Sequence, residues 1–217
     1  MTDPALNYPY FEPRRRNGPE AILRGNGDKC ATLADYWAWS SSDLISNIER
    51  GVFAEFLVAL ALGKADHVRD PWAPYDVQTA EGWAIEVKSA AHIQRWAQKK
   101  LTPIKFGIGP TKRWDPEVGA FVETSERQSD VYVFCLLAHK DQATIDPLNS
   151  RQWDFLVLAT AALDRNSLTQ KSITLEGLRA LGATETTFEG IADAVGQEAT
   201  VSGIAGSPPV TIESENE

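Results

Sequence analysis

The chain has 217 residues, of which 43% are hydrophobic and 24% charged, and its net charge is −9. That size suits one domain with a sizeable core plus a tail, and the negative balance argues against a general nucleic-acid coating protein. There is no apolar run of membrane-span length, no signal-peptide core around Arg14-Arg15-Arg16, and no Cys-x-x-Cys pairing of Cys30 or Cys135; the expectation is a cytoplasmic protein without a membrane segment, zinc site or disulfide framework.

Residues 1–40 are predicted to be an irregular arm, because the first thirty are rich in Pro, Gly, Arg and Asn. Ser40-Ser41-Ser42-Asp43 offers N-caps for a helix that runs to Leu62, with Gly63 as its stop. Between Gly51 and Gly63 the only charged residue is Glu55, so the pattern predicts a helix buried on nearly all sides. At 100° per residue Glu55 shares a stripe with Leu44, Ile48, Gly51, Ala59 and Leu62. A buried carboxylate needs a partner. Either a core Arg or Lys pairs with it, or it faces further charged groups downstream.

A loop with Pro71 and Pro74 leads to Tyr75-Asp76-Val77-Gln78-Thr79, the turn Ala80-Glu81-Gly82, and the strand Trp83 to Lys88. In a strand, side chains alternate faces, so Glu86 and Lys88 point one way and Ile85 and Val87 the other. A three-residue loop sets Thr79 opposite Trp83 and Asp76 opposite Glu86, with Cβ atoms about 4.5–5.5 Å apart. A two-residue loop would shift this register by one. Two carboxylates so close repel unless a cation lies between them. An oxygen-rich pair or trio of this kind suits Mg²⁺ or Mn²⁺, and a nearby ammonium can assist a water or an anionic transition state.

Residues 89–100 are expected to be part loop and part helix, and Phe106-Gly107-Ile108 a short strand. The stretch carries Arg95, Lys99, Lys100, Lys105, Lys112 and Arg113 among Trp72, Trp83, Trp96 and Trp114. This is either a solvated face with partly buried aromatics or a surface for phosphates and bases. Residues 109–129 read as a long polar loop. Val131 to Leu137 is an apolar run suited to a strand buried on both faces, and residues 154–158 to another. Short helices follow, one capped by Ser172 or Thr174 and ended by Gly182, the next capped by Thr186 or Thr187 and running through Val195. From Ala183 onward the chain holds seven acids and no Lys or Arg, which leaves −2 of the net −9 for residues 1–182. The division expected is an arm at 1–40, a core at 41–182, and an acidic helix and tail at 183–217, the last twenty residues being disordered or loosely docked.

Asp76, the spacer, and Glu86-Val87-Lys88 resemble the active-site motif of the PD-(D/E)XK nuclease superfamily. Arg50-Gly51-Val52-Phe53-Ala54-Glu55 is similar to the Gly-x-x-Ala-Glu helix found in some of its Holliday-junction resolvases and restriction enzymes. Tyr75 stands where the family name has Pro. The resemblance covers about residues 44–108. It implies an α/β, restriction-endonuclease-like mixed β-sheet core flanked by helices. It also implies Asp76 and Glu86 as ligands of Mg²⁺ or Mn²⁺, Lys88 as the assistant of the attacking water, and Glu55 as a helix carboxylate that joins or supports the metal. Gln94 matches a Gln that some members carry on the helix after the Lys. With Ser89, Arg95 and Lys99 it forms the expected substrate-binding set.

The expected activity is a Mg²⁺-dependent endonuclease acting on duplex or branched DNA, with a homodimer where both strands are cut. The rival expectations are a catalytically inactive nucleic-acid- or protein-binding module on the same fold, and a regulatory partner using the acidic tail as its contact. The sequence contains no Gly-x-x-x-x-Gly-Lys-Ser/Thr and no Gly-x-Gly-x-x-Gly motif, so nucleotide folds of those kinds lack support.

Overall fold

The computed structural model describes residues 11, 13–115, 120–167, 169–201 and 203. Two compact units are present, Met1–Ser40 and Ser41–Glu217.

The first unit is more ordered than its Pro/Gly-rich composition suggests. Strand β1 (Ala21–Leu23) pairs antiparallel with β2 (Lys29–Thr32), and Gly27, at φ 88°, supplies the left-handed turn residue between them. Helix α1 (Leu33–Ser41) follows directly. Asp35 Oδ2 accepts from Thr32 N at 2.7 Å and Thr32 Oγ1 accepts from Asp35 N at 3.2 Å, a reciprocal cap. From Ala21 onward the Gly turn and the Thr-x-x-Asp cap give order where an irregular arm is expected; residues 13–20 hold no helix or strand, and 1–10 and 12 lie outside the described residues.

The second unit is built on a mixed sheet. Helix α2 (Asn47–Ala61) leads to β3 (Val77–Gln78) and β4 (Ala84–Ala91). Next come β5 (Lys105–Gly107), the hairpin β6 (Thr111–Asp115) and β7 (Ala120–Glu126), and β8 (Val131–Leu137). They are followed by β9 (Trp153–Ala159), α3 (Thr160–Ser167), β10 (Ser172–Thr174), α4 (Leu175–Ala180), β11 (Thr184–Thr186) and α5 (Ile191–Val201). Five strands form one sheet in the order β11-β9-β8-β4-β3. β4 and β8 run parallel, and the other neighbours antiparallel. Strands β5 and β10 make a separate pair.

Helices cover the sheet on both sides. Ala54 and Val58 of α2 and Ala194 and Val195 of α5 pack with Ile85, Val87, Val133 and Cys135 on one face. On the other, Tyr132, Phe134, Leu156 and Leu158 meet Phe106, Leu163 and Leu178. Every residue of β8 is buried, as its unbroken apolar run predicts for a central strand. Burial pushes the Cys135 thiol far above its ordinary pKa, which makes it a core side chain rather than a nucleophile.

Four expectations change. The cap of α2 is Ser46, whose hydroxyl accepts from Glu49 N at 3.3 Å, not a residue of 40–43. That helix is also not buried all round: Ile48, Val52, Phe56 and Leu60 form an exposed row, because α2 packs on the sheet with only one face. Residues 111–115 and 120–126 pair as β6 and β7 where a long polar loop is expected. Their pattern escaped notice because β7 is exposed at six of its seven positions and so lacks an apolar face. Residues 92–104 contain no helix. There the Gln98 side chain stands in for backbone pairing, accepting from Gln94 N at 2.7 Å and donating to Thr102 Oγ1 at 2.9 Å.

The segment after residue 182 is part of the core rather than an appendage. β11 pairs with β9, and Glu198 accepts from Ala159 N at 3.0 Å and from Thr184 Oγ1 at 2.8 Å. Of the last twenty residues, expected to be disordered or loosely docked, 198–201 belong to α5, while 202 and 204–217 lie outside the described residues.

Candidate active site

The β3–β4 hairpin positions the central carboxylates. Val77 lies opposite Ile85 and Gln78 opposite Ala84. The connection is a three-residue loop, with Thr79 N donating to Trp83 O at 3.0 Å and Gly82 at φ 88°. In the other direction, Asp76 N donates to Ile85 O at 3.0 Å. Asp76 lies just before β3, and Glu86 of β4 acts on it electrostatically. The Asp76 carboxylate is fastened to the strand as well, since Oδ2 accepts from Val87 N at 2.7 Å.

Glu86 and Lys88 lie on the same face of β4, and Lys88 Nζ donates to Glu86 Oε1. Asp76 and Glu86 together line a cavity of about 230 Å³. Its walls include Trp72, Tyr75, Lys112 and Phe121. Trp72 is 73% exposed and Phe121 56% exposed, so both stand at the rim. Behind Glu86 in the sheet is Tyr132, whose phenol is pushed up to about 12 by burial and then by the Glu86 charge.

Asp76 is the electrostatic centre. Its pKa rises to about 7, first because it is buried and next because Glu86 is negative. Glu55 adds to the rise, while the Val87 N–H and Lys88 oppose it. A carboxylic acid that keeps its proton to neutral pH marks a buried carboxyl with a second acid beside it. The same field names Glu55, Glu86 and Lys88 as the charged neighbours of Asp76, so these four sequence candidates are grouped by the fold.

Glu55 has a partner that the sequence left open. Arg69, from the loop before the hairpin, donates from Nη2 to Glu55 Oε1 at 3.0 Å and from Nε to Oε2. Both residues line a second, more apolar cavity of about 180 Å³ that also reaches Asp76. The Glu55 side chain is therefore a paired carboxylate, 16% exposed, rather than an isolated buried charge.

The donor set suits a hard divalent cation in a limited sense. Among the described residues no three His, Cys, Asp or Glu side chains converge into a complete ligand group. Asp76 and Glu86 offer two carboxylates on one cavity, and Mg²⁺ is commonly held by one or two carboxylates with water and substrate oxygen completing its shell. A cation there would offset the burial and the Glu86 charge that keep Asp76 protonated.

The expected substrate-binding residues divide. Ser89 and Gln94 line a third cavity, of about 400 Å³, near the end of β4. Arg95 is engaged by the Asp43 carboxylate, and Lys99 is exposed and lines none of these cavities. Gln94 lies in a loop, not on a helix, with its Nε2 donating to Ala91 O at 2.7 Å. Trp96 is exposed and Trp83 packs against the core; the side chains of Arg113 and Trp114 lie outside those described. Arg69, which pairs with Glu55, and Gln128, which lines the Asp76–Glu86 cavity, are site residues outside the expected set. Their positions depend on segments far apart in the chain and leave no local pattern.

A family model described as Bacteriophage T4 endonuclease IV matches residues 32–177, about two thirds of the chain. The chain belongs to the bacteriophage T4 endonuclease IV family. This is a nuclease family, and the matched span contains Glu55, Asp76, Glu86 and Lys88. Comparison with curated proteins and with solved structures gave no match. The family assignment supports the nuclease class that the sequence pattern predicts, while the architecture is a mixed α/β fold with a five-stranded sheet between helices.

Proposed function

We propose that this member of the T4 endonuclease IV family is a metal-dependent endonuclease that hydrolyses DNA phosphodiester bonds on a restriction-endonuclease-like core of the PD-(D/E)XK superfamily. The observation that carries the reading is the shared cavity of Asp76 and Glu86, with Lys88 on the same strand face. Asp76 and Glu86 are the residues that would hold Mg²⁺ or Mn²⁺. When bound, the ion supplies a Lewis acid for the phosphate and acidifies a water.

The chain's own groups do the rest. Asp76, which holds its proton to about pH 7, gives it up to become a ligand, and a bound cation would offset that cost. Glu86 holds the Lys88 ammonium on its own face of β4, and the role proposed for Lys88 is to orient the attacking water and face the negative charge that develops on phosphate. Arg69 keeps Glu55 in place, and the Glu55 charge favours a cation beside Asp76. Trp72 and Phe121 offer flat apolar faces to bases, and Lys112 a charge to the backbone. Duplex or branched DNA is the substrate proposed, with a homodimer where both strands are cut.

The test is cleavage of labelled duplex and branched DNA by purified protein with Mg²⁺, with Mn²⁺ and with chelator. Cleavage is expected only with the ions, and Asp76→Ala, Glu86→Ala and Lys88→Ala are each expected to lose about 100-fold or more. Equal cleavage by wild type and folded Lys88→Ala would overturn the mechanism. A second reading, a non-cleaving binding module, draws on the internal ion pairs that already engage Glu86 and Glu55. Calorimetry that finds no Mn²⁺ binding to the folded protein would favour that reading.

A further inference from the structure

The cavity at the end of β4 contains a buried cation with no acid beside it. Arg50 of α2 is 4% exposed. Its guanidinium donates only to neutral oxygens: Nε to Ser89 Oγ at 3.1 Å, Nη1 to Ile45 O at 3.1 Å, and Nη2 to Asn47 Oδ1 at 2.8 Å. Among the described residues no carboxylate pairs with it. Burial pulls its pKa below the ordinary arginine value with no charge to offset the effect. Desolvating a cation without a counter-charge is costly, and a guanidinium has five N–H donors, of which these contacts use three.

The cavity repeats the same signature. It encloses about 400 Å³ and its lining includes Arg50 and Lys105 but no Asp or Glu, in a chain whose net charge is −9. Two spare guanidinium donors, an exposed lysine and the Ser89 and Thr102 hydroxyls suit a phosphate oxygen set. Gln94 adds a second requirement. It is 6% exposed, it lines the same cavity, and its Oε1 has no hydrogen-bond partner. Its Nε2 is committed to Ala91 O, so the free atom is an acceptor that asks for a donor. Oε1 is itself closed off from solvent, so a base N–H meets it once the Gln94 side chain turns toward the cavity; a bare anion satisfies Arg50 alone, whereas a nucleotide carries both a phosphate and base N–H groups. Trp96, 58% exposed at the lining of the cavity, adds a face for stacking.

We propose that this cavity is a nucleotide subsite, in which Arg50 and Lys105 bind a backbone phosphodiester and Gln94 accepts from the attached base. At about 3.3 Å per residue, Ser89 lies roughly 10 Å along β4 from Glu86. Ser89 and Glu86 lie on opposite faces of β4, so a bound strand would cross the end of β4 to pass from this cavity to the carboxylate cavity. That placement rests on the Asp76–Glu86 cavity being the cleavage site, while the phosphodiester contact itself does not.

The experiment measures fluorescence anisotropy of labelled single-stranded and duplex oligodeoxynucleotides with the Lys88→Ala protein in chelator, with and without Lys105→Gln, Arg50→Gln or Gln94→Leu. Lys105→Gln is expected to weaken binding about threefold and to lower the log–log salt slope by about one. Arg50→Gln is expected to weaken it about tenfold or more, and Gln94→Leu to weaken oligonucleotide binding without changing the salt slope. Unchanged affinity and slope in Lys105→Gln and in folded Arg50→Gln would overturn the subsite. Should Arg50→Gln fail to fold, the Arg50 Nε–Hε resonance decides: it must shift on oligonucleotide titration, and a static resonance refutes the contact. Inorganic phosphate titrated in parallel separates the sources, because phosphate binding lost in Lys105→Gln with oligonucleotide binding intact would mean a free-phosphate site. Binding that depends on Arg50 and Lys105 in a protein that never cleaves would remove the nuclease reading and leave the subsite standing.

Discussion

Asp76→Asn should stabilise the metal-free protein, and should do so only above mildly acidic pH. In the fold, Asp76 keeps its proton up to about 7, whereas an ordinary aspartate loses it near 3.8. Between those values the folded state binds a proton that the unfolded state has released, so stability falls as pH rises, and it is level above about 7. At 1.36 kcal/mol per unit, the cost carried by the wild type at pH 8 is about 4 kcal/mol. Asn keeps the shape and an oxygen that can accept from Val87 N, but it has no charge to bury. Its advantage should therefore be close to zero near pH 4 and about 4 kcal/mol at pH 8. At roughly 2–4 °C per kcal/mol for a domain of this size, that is a rise of about 10 °C in Tm. The assay is urea and thermal melting at pH 4, 6 and 8 in chelator. An Asn variant that gains nothing between pH 4 and pH 8, or loses stability equally at both, would refute the electrostatic account of the cavity. Mn²⁺ added at pH 8 should stabilise the wild type and shrink the gap.

Arg69→Met removes the partner of Glu55 and a positive charge felt at Asp76; the pH at which wild-type stability levels off is expected to move upward, and an unmoved midpoint would separate Arg69 from the site. Gly82→Ala forces a side chain into the φ 88° turn and is expected to cost about 1–2 kcal/mol in urea melts, with the β3–β4 register and hence metal binding weakened in parallel. Glu198→Gln replaces one of the two accepting oxygens that hold Ala159 N and Thr184 Oγ1; a loss of about 1 kcal/mol is expected, and none at all would mean that α5 is held by its apolar face alone.

What could be read locally was read best where one short segment carries its own geometry. Alternation along Ala84 to Lys88 and a glycine three residues past Thr79 were enough to place Glu86 beside Asp76, and the hairpin adopts that register. The unbroken run of Val131 to Leu137 likewise announced a central strand. The polar β6–β7 hairpin was missed for the converse reason: an element with no buried face has no hydrophobic period to detect.

The amino-acid sequence by itself determined the carboxylate pair, its lysine and the strand that displays them, because period-two geometry and turn length are properties of neighbouring residues. Only the tertiary structure decided which charges are balanced and which are not. Arg69 reaches Glu55 across fourteen residues, and Arg50 reaches Ser89 across thirty-nine. No spacing rule links such positions. Arg50 meets Ser89 because α2 packs on β4, and the loop before β3 brings Arg69 to Glu55, while among the described residues Asp76 and Arg50 are in no ion pair.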